Sequence, residues 1–362
     1  MINIGSVKED PTKEKRISIT PETAKKFISL GFTINIEKNY ADHLNINDEL
    51  YQNIGTNIAT KKEVLEKSDI ILKVNSIYED EINFIKNKSI LIGQFDSSLN
   101  KDLINKLTEK DINFFSLNLL PRITRAQSMD SLSSQANLAG YKAVVESFSN
   151  FERAIPMMMT AAGTIPPAKV LVIGAGVAGL QAIATAKRMG AIVYATDVRA
   201  TSKEQVESLG GKFLVVEGSE NLETEAGYAK EASEDFKTKQ ETLLKETLKK
   251  IDIVICTALI PVKKAPLIIK ENMIKSMQPG SLIYDLAAAQ GGNSAFTEID
   301  KVVNINGVKI IGEKNILNKL PTSASNLYAK NLFNFVLNLY NKENKKININ
   351  LEDEIIKKTL IK

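Results

Sequence analysis

Short apolar segments alternate with amphipathic segments along most of the chain, and the alternation runs through two series. Alternating strands and helices are typical of parallel sheets covered by crossover helices. The pattern therefore predicts an α/β protein with two doubly wound domains. The candidate strands are INIGSV, FTINIEK, DIILKV, SILIGQF and INFFSLN in the first series, and KVLVIGAG, AIVYATD, GKFLVVE, DIVICTAL and SLIYDLA in the second.

Long helical segments connect the two series. MDSLSSQANLAGYKAVVESFSNF precedes the second series and SASNLYAKNLFNFVLNLY follows it, so we expect the second domain to be inserted into the first, with a cleft between them. The predicted domains are residues 1–132 with 315–362, and residues 133–314. Gly140 inside the first helix predicts a close contact, because glycine is unfavourable there. Met157 to Met159 predict adaptable packing at the domain junction.

The composition excludes several classes of protein. The 362 residues include 47 Lys and Arg against 43 Asp and Glu, and the net charge of +4 is spread thinly, so no nucleic-acid partner is expected. No secretory signal or membrane span is visible, and the single cysteine, Cys256, cannot form an internal disulfide. We therefore expect a cytoplasmic protein. Cys256 lies in an apolar run, which predicts a buried structural cysteine, and no Cys or His cluster indicates a metal site.

The strongest local signal is the glycine pattern in VLVIGAGVAGLQ. Gly174, Gly176 and Gly179 follow an apolar strand and open a helix, and Asp197 ends the next strand. In this context the glycines permit a tight turn, close approach to a pyrophosphate and close helix packing. The motif predicts a Rossmann-like domain that binds NAD(H), because Asp197 would accept the ribose hydroxyls and repel a 2′-phosphate. Arg199 qualifies this choice, since an arginine just past the acid can accommodate a 2′-phosphate.

A polar cluster lies at the start of the first long helix, in PRITRAQSMDSLSSQ. Arg122, Gln127 and Asp130 have little structural work to do if this segment only connects two domains, which favours a site in the predicted cleft. The alternative is that the segment only begins a helix, and the spacing leaves both interpretations open. The residues that would then serve the helix start are Asp130, Ser131, Ser133 and Ser134.

No obvious proton donor accompanies the predicted nucleotide site. Reduction of a carbonyl or imine needs a proton as well as a hydride. The only histidine, His43, lies in the polar segment NYADHLNINDEL, which is typical of a surface or turn residue. Lys73 ends the strand DIILKV, at the edge of the first sheet where ligands bind in open α/β folds. The residues favour a plain exposed lysine at that strand end.

Long blocks of the chain resemble the NAD(H)-binding alpha subunit of proton-translocating NAD(P) transhydrogenases, in the superfamily that includes alanine dehydrogenase. The blocks are RITRAQSMDSLSSQANLAGYKAV, PMMMTAAGTIPPAKVLVIGAGVAGLQAIATAKRMGA, ATDVRATSKEQVESLGGKF, GYAKE and TALIPVKKAPLII. The resemblance implies direct Si-specific hydride transfer between NADH bound here and NADP+ bound on a partner subunit. It also implies a homodimer at the cytoplasmic face of the inner membrane, coupled to proton translocation through membrane-spanning partners. Hydride passing between two nicotinamides needs no protonated substrate atom.

The resemblance also assigns site residues. Arg122, Gln127, Asp130 and Ser133 would hold the nicotinamide end and act in catalysis. The charged stretch 218–231 is either a flap that closes on nucleotide or a solvated loop, two interpretations left open. The other nucleotide contacts would be Val177, Asp197, Val198, Arg199, Gly227, Tyr228, Gln240 and Leu259.

The sequence departs from related patterns at two places. Alanine dehydrogenases carry a catalytic histidine after the fourth strand, where this chain reads LIGQFDSS, although Arg16 and Lys73 match their substrate-carboxylate residues. A Pro-Ser-Arg turn common in transhydrogenases is replaced by Leu317, Asn318 and Lys319. The alternative functions are a free-standing amino-acid or 2-oxo-acid dehydrogenase that uses Lys73, and a non-catalytic NAD-sensing module.

Overall fold

Two seven-stranded sheets organise the protein in a computed structural model that describes residues 1–95, 101–216, 233–260 and 264–361. The strands are β1 (Asn3–Ser6), β2 (Thr33–Glu37), β3 (Asn57–Ala59), β4 (Ile70–Leu72), β5 (Ile90–Gly93), β6 (Asn113–Ser116), β7 (Met158–Thr160), β8 (Gly163–Ile165), β9 (Lys169–Ile173), β10 (Ile192–Thr196), β11 (Lys212–Phe213), β12 (Ile253–Cys256), β13 (Leu282–Asp285), β14 (Lys301–Ile305), β15 (Val308–Gly312), β16 (Tyr340–Asn341), β17 (Lys346–Ile347) and β18 (Leu360–Ile361). The helices are α1 (Pro21–Ser29), α2 (Asp48–Gln52), α3 (Lys61–Lys67), α4 (Glu79–Ile82), α5 (Lys101–Glu109), α6 (Ser131–Asn150), α7 (Val177–Arg188), α8 (Ser202–Ser208), α9 (Glu234–Leu248), α10 (Glu271–Ile274), α11 (Pro321–Leu339) and α12 (Glu354–Thr359). Short 3-10 helices cover Asp42–Leu44, Leu117–Leu119, Thr124–Met129, Ala288–Gln290 and Ile316–Lys319.

Each sheet belongs to a separate unit of the chain. Unit 1 is Met1–Gln135 with Leu317–Lys362, and unit 2 is Ala136–Ile316. The change of unit near residue 135 falls inside α6. None of the helices in the described ranges is long and apolar enough to cross a membrane.

The sheet of unit 1 has the order β18-β6-β5-β4-β1-β2-β3. All neighbouring strands are parallel except β18, which pairs antiparallel with β6. Successive strands lie on opposite sides of β1, so the sheet has a topological switch point between β1 and β4, where ligands bind in open α/β folds.

The helix α1 of unit 1 shows how local sequence determines where a helix begins and ends. The Thr20 hydroxyl accepts a hydrogen bond from the Thr23 amide, the Thr23 hydroxyl accepts one from the Thr20 amide, and Pro21 begins the helix. Gly31, with a φ of +90°, follows its end. The predicted helix is therefore confirmed, for the reasons its caps suggested.

The sheet of unit 2 has the order β11-β10-β9-β12-β13-β15-β14. The strands are parallel except for β14 and β15, which form an antiparallel hairpin at one edge. Asn306 and Gly307 turn this hairpin with φ values of +52° and +84°, as a type I′ turn requires. Both sheets follow the doubly wound order, so the predicted fold class is confirmed.

The close contact predicted at Gly140 is present. A Cβ atom at Gly140 would lie 2.0 Å from the backbone oxygen of Ala178 in α7. The long helix α6 thus packs at backbone distance against the helix that follows the glycine turn.

The packing predicted for Met157 to Met159 is wrong. Met158 and Met159 lie in the two-stranded ribbon of β7 and β8, and the three side chains are 61%, 44% and 80% exposed in the single chain. The ribbon pairs with neither large sheet, and its two strands alone cannot bury these apolar side chains.

Candidate functional site

The glycine turn lies at the carboxyl edge of the unit 2 sheet, between β9 and α7. Gly174 has a φ of +91°, and a Cβ atom at Gly179 would lie 1.9 Å from the Gly174 oxygen. Both glycines are thus required by the fold. A Cβ atom at Gly176 would meet no atom within 4 Å, and no side chain caps the start of α7 there. The turn presents open space and helix amides on the side where a phosphate would bind.

Asp197 follows β10 and faces the same turn. Its carboxylate accepts hydrogen bonds from the Ala175 amide at 2.6 Å and from the Arg199 amide at 2.9 Å. The Arg199 guanidinium holds both carboxylate oxygens, with Nε and Nη2 each at 2.9 Å. A ribose hydroxyl that bonds Asp197 would have to compete with this fork, because the guanidinium already occupies both carboxylate oxygens.

A second loop supports the glycine turn from the neighbouring strand β12. The Thr257 hydroxyl donates to the backbone oxygens of Ile173 and Gly174 at 3.1 and 2.9 Å. The Asn293 side chain accepts from the Ala258 amide at 3.0 Å and donates to the Ala258 oxygen at 2.8 Å. Buried Asp285 accepts from the Asn293 amide at 2.8 Å, and burial raises the pKa of Asp285. Sequence reasoning missed this network, whose visible signal is the polar end of YDLAAAQGGN.

The remaining predicted contacts of unit 2 fall into two groups. Val177, Val198 and Gln240 are half-buried, and Leu259 is 43% exposed at the loop beyond Ala258. Gly227 and Tyr228, with the whole stretch 218–231, lie outside the described residues.

The predicted nicotinamide residues lie in unit 1. Gln127 is exposed on the 3-10 helix Thr124–Met129, and Arg122 is exposed just before it. Asp130 accepts hydrogen bonds from the Ser133 amide at 2.9 Å and the Ser133 hydroxyl at 2.5 Å. Asp130 thus caps α6, as one of the two interpretations predicts.

Lys73 is fully buried at the switch point of unit 1, so the prediction of an exposed strand-end lysine is wrong. Its ammonium lies 3.2 Å from Glu81 and 3.8 Å from Glu9, both buried. Glu81 also receives Lys61 at 3.0 Å. Paired carboxylates offset the cost of burying the lysine, and they come from other parts of the unit, Glu9 from the loop after β1 and Glu81 from α4.

Arg16, the other residue matched to a substrate-carboxylate group, is also held internally. Its Nε and Nη2 donate to the two oxygens of Glu14 at 2.9 and 2.8 Å, and Nη1 donates to Gln94 and Gln135. Burial opposes ionisation of Glu14, but the hydrogen bonds from Arg16 prevail and lower its pKa. Both cations are therefore bound to carboxylates of the chain itself.

Other candidate groups have structural surroundings. Cys256 is fully buried, which confirms the prediction, and burial raises the pKa of its thiol. His43 is exposed, and its Nε2 lies 2.8 Å from the Lys15 oxygen. Asn318, at the departure from the transhydrogenase turn, bonds the backbone of Lys13 and Lys15 at 2.9 Å. Within the described ranges, no group of three His, Cys, Asp or Glu side chains could hold a metal ion.

The strand order of unit 2, its glycine turn and the acid ending the second strand define a dinucleotide-binding domain of the Rossmann type. Comparison with known proteins gives the family. The chain belongs to the Alanine dehydrogenase/PNT family, whose N-terminal domain matches residues 5–139 and whose C-terminal domain matches residues 143–362. The resemblance to transhydrogenase alpha subunits is thereby confirmed.

Individual relatives agree with this family. A Rhodospirillum rubrum protein named as the first part of NAD(P) transhydrogenase subunit alpha is 47% identical over 99% of this chain and 96% of its own. The crystal structure of a transhydrogenase from Sinorhizobium meliloti is 42% identical, with a TM-score of 0.89 over 99% of this chain and 97% of that one. An L-alanine dehydrogenase structure, 19% identical, matches with a TM-score of 0.80 over 99% of this chain and 94% of that one, which shows the shared fold alone.

Proposed function

We propose that this chain is the NAD(H)-binding alpha subunit of a proton-translocating, Si-specific NAD(P) transhydrogenase. It would transfer hydride directly between NADH and NADP+ bound on a partner subunit. One observation carries the proposal above the others. The Asp197 carboxylate bonds the Ala175 amide, one residue before the open space at Gly176, in a chain that is 47% identical to a relative named for this activity.

The residues of unit 2 suit NAD(H). The amides at the start of α7 would bind the pyrophosphate beside Gly176. Asp197 would accept hydrogen bonds from the ribose hydroxyls, which would replace part of its bonding to the Arg199 guanidinium. The bound dinucleotide would supply the hydride. The remaining contacts in the proposal are Gly174, Gly179, Val177, Val198, Arg199, Gln240 and Leu259, together with Gly227 and Tyr228 outside the described residues.

The nicotinamide end is assigned to unit 1 in the proposal. Arg122 would neutralise the pyrophosphate or orient the ring, Gln127 would bridge to the nucleotide of the partner, and Asp130 with Ser133 would bind the carboxamide or ribose. None of these roles demands a proton donor. Catalysis then consists of positioning two nicotinamide rings and excluding water.

Partners belong to the proposal as well. The name of the Rhodospirillum rubrum relative describes it as one portion of a subunit alpha, which supports additional subunits, and for these we propose membrane-spanning and NADP(H)-binding chains. We place the chain at the cytoplasmic face of the inner membrane through these partners. The exposed methionines of the β7–β8 ribbon support a homodimer, because such apolar side chains favour burial against another chain.

Buried ion pairs argue against the free-standing dehydrogenase that was the alternative. Arg16 is bound to Glu14 and Lys73 to Glu81, so the two cations matched to a substrate carboxylate are engaged within the protein. A 2-oxo acid would have to replace these pairs at a large desolvation cost. Polar groups at the nicotinamide end also disfavour a module that only senses NAD.

Replacing Asp197 with alanine tests the NAD(H) site. We expect NADH binding to weaken by about 1 to 3 kcal/mol, because a charged acceptor of the ribose is lost. We also expect discrimination against NADPH to fall, since Arg199 would no longer share its charge with Asp197. Calorimetric titration with NADH and NADPH measures both effects.

Asp252→Ala is the matched control. Asp252 also accepts a backbone amide, that of Lys169 at 2.8 Å, and pairs with Arg153, but it lies at the amino edge of the same sheet. NADH affinity should stay unchanged in this variant. Equal affinities in the two variants would remove Asp197 from the site. The transfer step is tested by mixing the chain with an NADP(H)-binding domain and following NADH-dependent reduction of an NADP+ analogue.

A further inference from the structure

Three asparagines form one face of α11. Asn331, Asn334 and Asn338 are spaced three and four residues apart, so their side chains share a side of the helix. Asparagine is a poor helix former, and three on one face cost helix stability unless they make other contacts. We call them the asparagine face.

The asparagine face contacts residues 122–130, which we call the site segment because the proposed function places Arg122, Gln127 and Asp130 there. Both Asn331 and Asn334 donate their side-chain amides to the Ser128 oxygen, at 2.9 and 3.0 Å. Asn331 also accepts a hydrogen bond from the Ser134 hydroxyl at 2.7 Å. One backbone carbonyl of the site segment is therefore held by two side chains from a single rigid helix.

Arg125 anchors the site segment at a second point. Its guanidinium donates to both oxygens of Asp353, at 2.8 and 2.7 Å, and to the Asn338 oxygen at 3.1 Å. Asp353 is itself fixed, because it caps α12 by accepting from the Ile355 amide at 2.8 Å. The hydrogen bonds from Arg125 lower the pKa of Asp353. The carboxylate therefore stays ionised to a lower pH than an ordinary aspartate does.

The site segment needs such anchors. Its central portion is a 3-10 helix, whose hydrogen bonds are weaker than those of an α-helix. Only Ala126 and Met129 of this 3-10 helix are buried, while Gln127 is exposed between them. Hydride transfer depends steeply on position, since a displacement of about 1 Å can lower a rate about 100-fold.

We propose that Arg125, together with Asp353 and the asparagine face, positions the site segment for hydride transfer without touching nucleotide. This inference rests on the proposed function of Arg122 and Gln127. It assigns the second arginine of RITRAQ a role unlike that of the first. Arg125 is a positioning residue, and its contacts tie the chemistry of unit 1 to the last helix of the chain.

The first test measures the site segment itself. Amide hydrogen exchange of residues 122–130 in the full chain should accelerate about 3- to 10-fold in Arg125→Ala, because local opening is opposed by fewer contacts. The melting temperature should change little, since an exposed ion pair contributes little to global stability. Arg153→Ala is the control, because Arg153 pairs with Asp252 at nearly the same exposures, 51% and 17% against 54% and 16% for Arg125 and Asp353.

The second test measures the chemistry. The assay uses saturating NADH and an added NADP(H)-binding domain. The single-turnover rate of hydride transfer in Arg125→Ala should fall about tenfold, while the dissociation constant for NADH should stay unchanged. Arg125→Lys, which keeps a cation opposite Asp353 and leaves the cap of α12 intact, should retain much of the rate. The proposal would be overturned if Arg125→Ala showed the same amide hydrogen-exchange rates in residues 122–130 as Arg153→Ala, or the same rate of hydride transfer. A wild-type chain that transfers no hydride would instead refute the proposed function, and the exchange result would still decide whether Arg125 holds the site segment.

Discussion

Gly176→Val is expected to weaken NADH binding about 100-fold or more while lowering the melting temperature only slightly, through a poorer N-cap of α7. The backbone at Gly176 has an ordinary φ of −75°, and a Cβ atom there meets no atom within 4 Å, so the fold accepts a side chain. The same side chain would fill the space through which a pyrophosphate approaches the amides of α7. NADH titration and thermal unfolding of the purified chain measure the two halves of the expectation.

Gly179→Ala supplies the contrast. Its Cβ atom would lie 1.9 Å from the Gly174 oxygen, so the helix and the turn must separate, at a cost of about 1 to 3 kcal/mol or more in the free energy of unfolding. One glycine variant should thus lose ligand and the other stability. Wild-type NADH affinity in a folded Gly176→Val protein would contradict the assignment of the pyrophosphate to this turn.

Gln127→Asn is expected to slow hydride transfer about 100-fold with little change in NADH affinity. Gln127 is exposed on the 3-10 helix of unit 1, and the proposal gives it a bridge to the nucleotide of the partner. Asparagine keeps the amide but shortens its reach by one methylene, which misplaces the contact by more than about 1 Å. Single-turnover kinetics with an NADP(H)-binding domain report the transfer step, and NADH titration reports binding.

An exposed glutamine elsewhere in unit 1 provides the control. Gln52 lies on α2, and Gln52→Asn makes the same chemical change outside the proposed site. Transfer at the wild-type rate in both variants would refute the positioning role of Gln127. A parallel loss in both variants would point to general destabilisation.

Local patterns predict much of this fold. Each strand of the first and second series appears in a sheet, and Thr20, Pro21 and Gly31 mark the ends of α1 as expected. The predicted domain boundaries are residues 132 and 315, and the units of the structure change at 135 and 317. Strands and helix ends can be predicted from sequence because caps, glycine turns and alternating apolar runs depend on residues that are near neighbours in the chain.

Features that depend on contacts between different elements of the fold cannot be predicted from local patterns in this way. Lys73 directly follows β4, yet its burial depends on Glu9 and Glu81, and the strand pattern alone does not show that these carboxylates reach it. The β14–β15 hairpin is visible in sequence only as an Asn-Gly pair. The asparagine face is likewise a weak signal in sequence, because its meaning comes from the site segment it contacts.

Only part of the candidate site can be predicted from the sequence. The glycine turn and Asp197 are predicted by spacing and lie together in unit 2. The support from Thr257 and Asn293 comes from separate loops that only the sheet brings to the turn. The roles of Arg122, Gln127, Asp130 and Ser133 stay predictions, because they concern nucleotides and a partner chain.

The most direct test of the central claim is NADH-dependent reduction of an NADP+ analogue by the purified chain, with and without a transhydrogenase NADP(H)-binding domain. Pyruvate with ammonium serves as the competing substrate in a parallel assay. We predict turnover only when the NADP(H)-binding domain is present and none with pyruvate, because Arg16 and Lys73 are bound to Glu14 and Glu81. Turnover with pyruvate alone would contradict the account, since it would make the chain a free-standing dehydrogenase that uses Lys73.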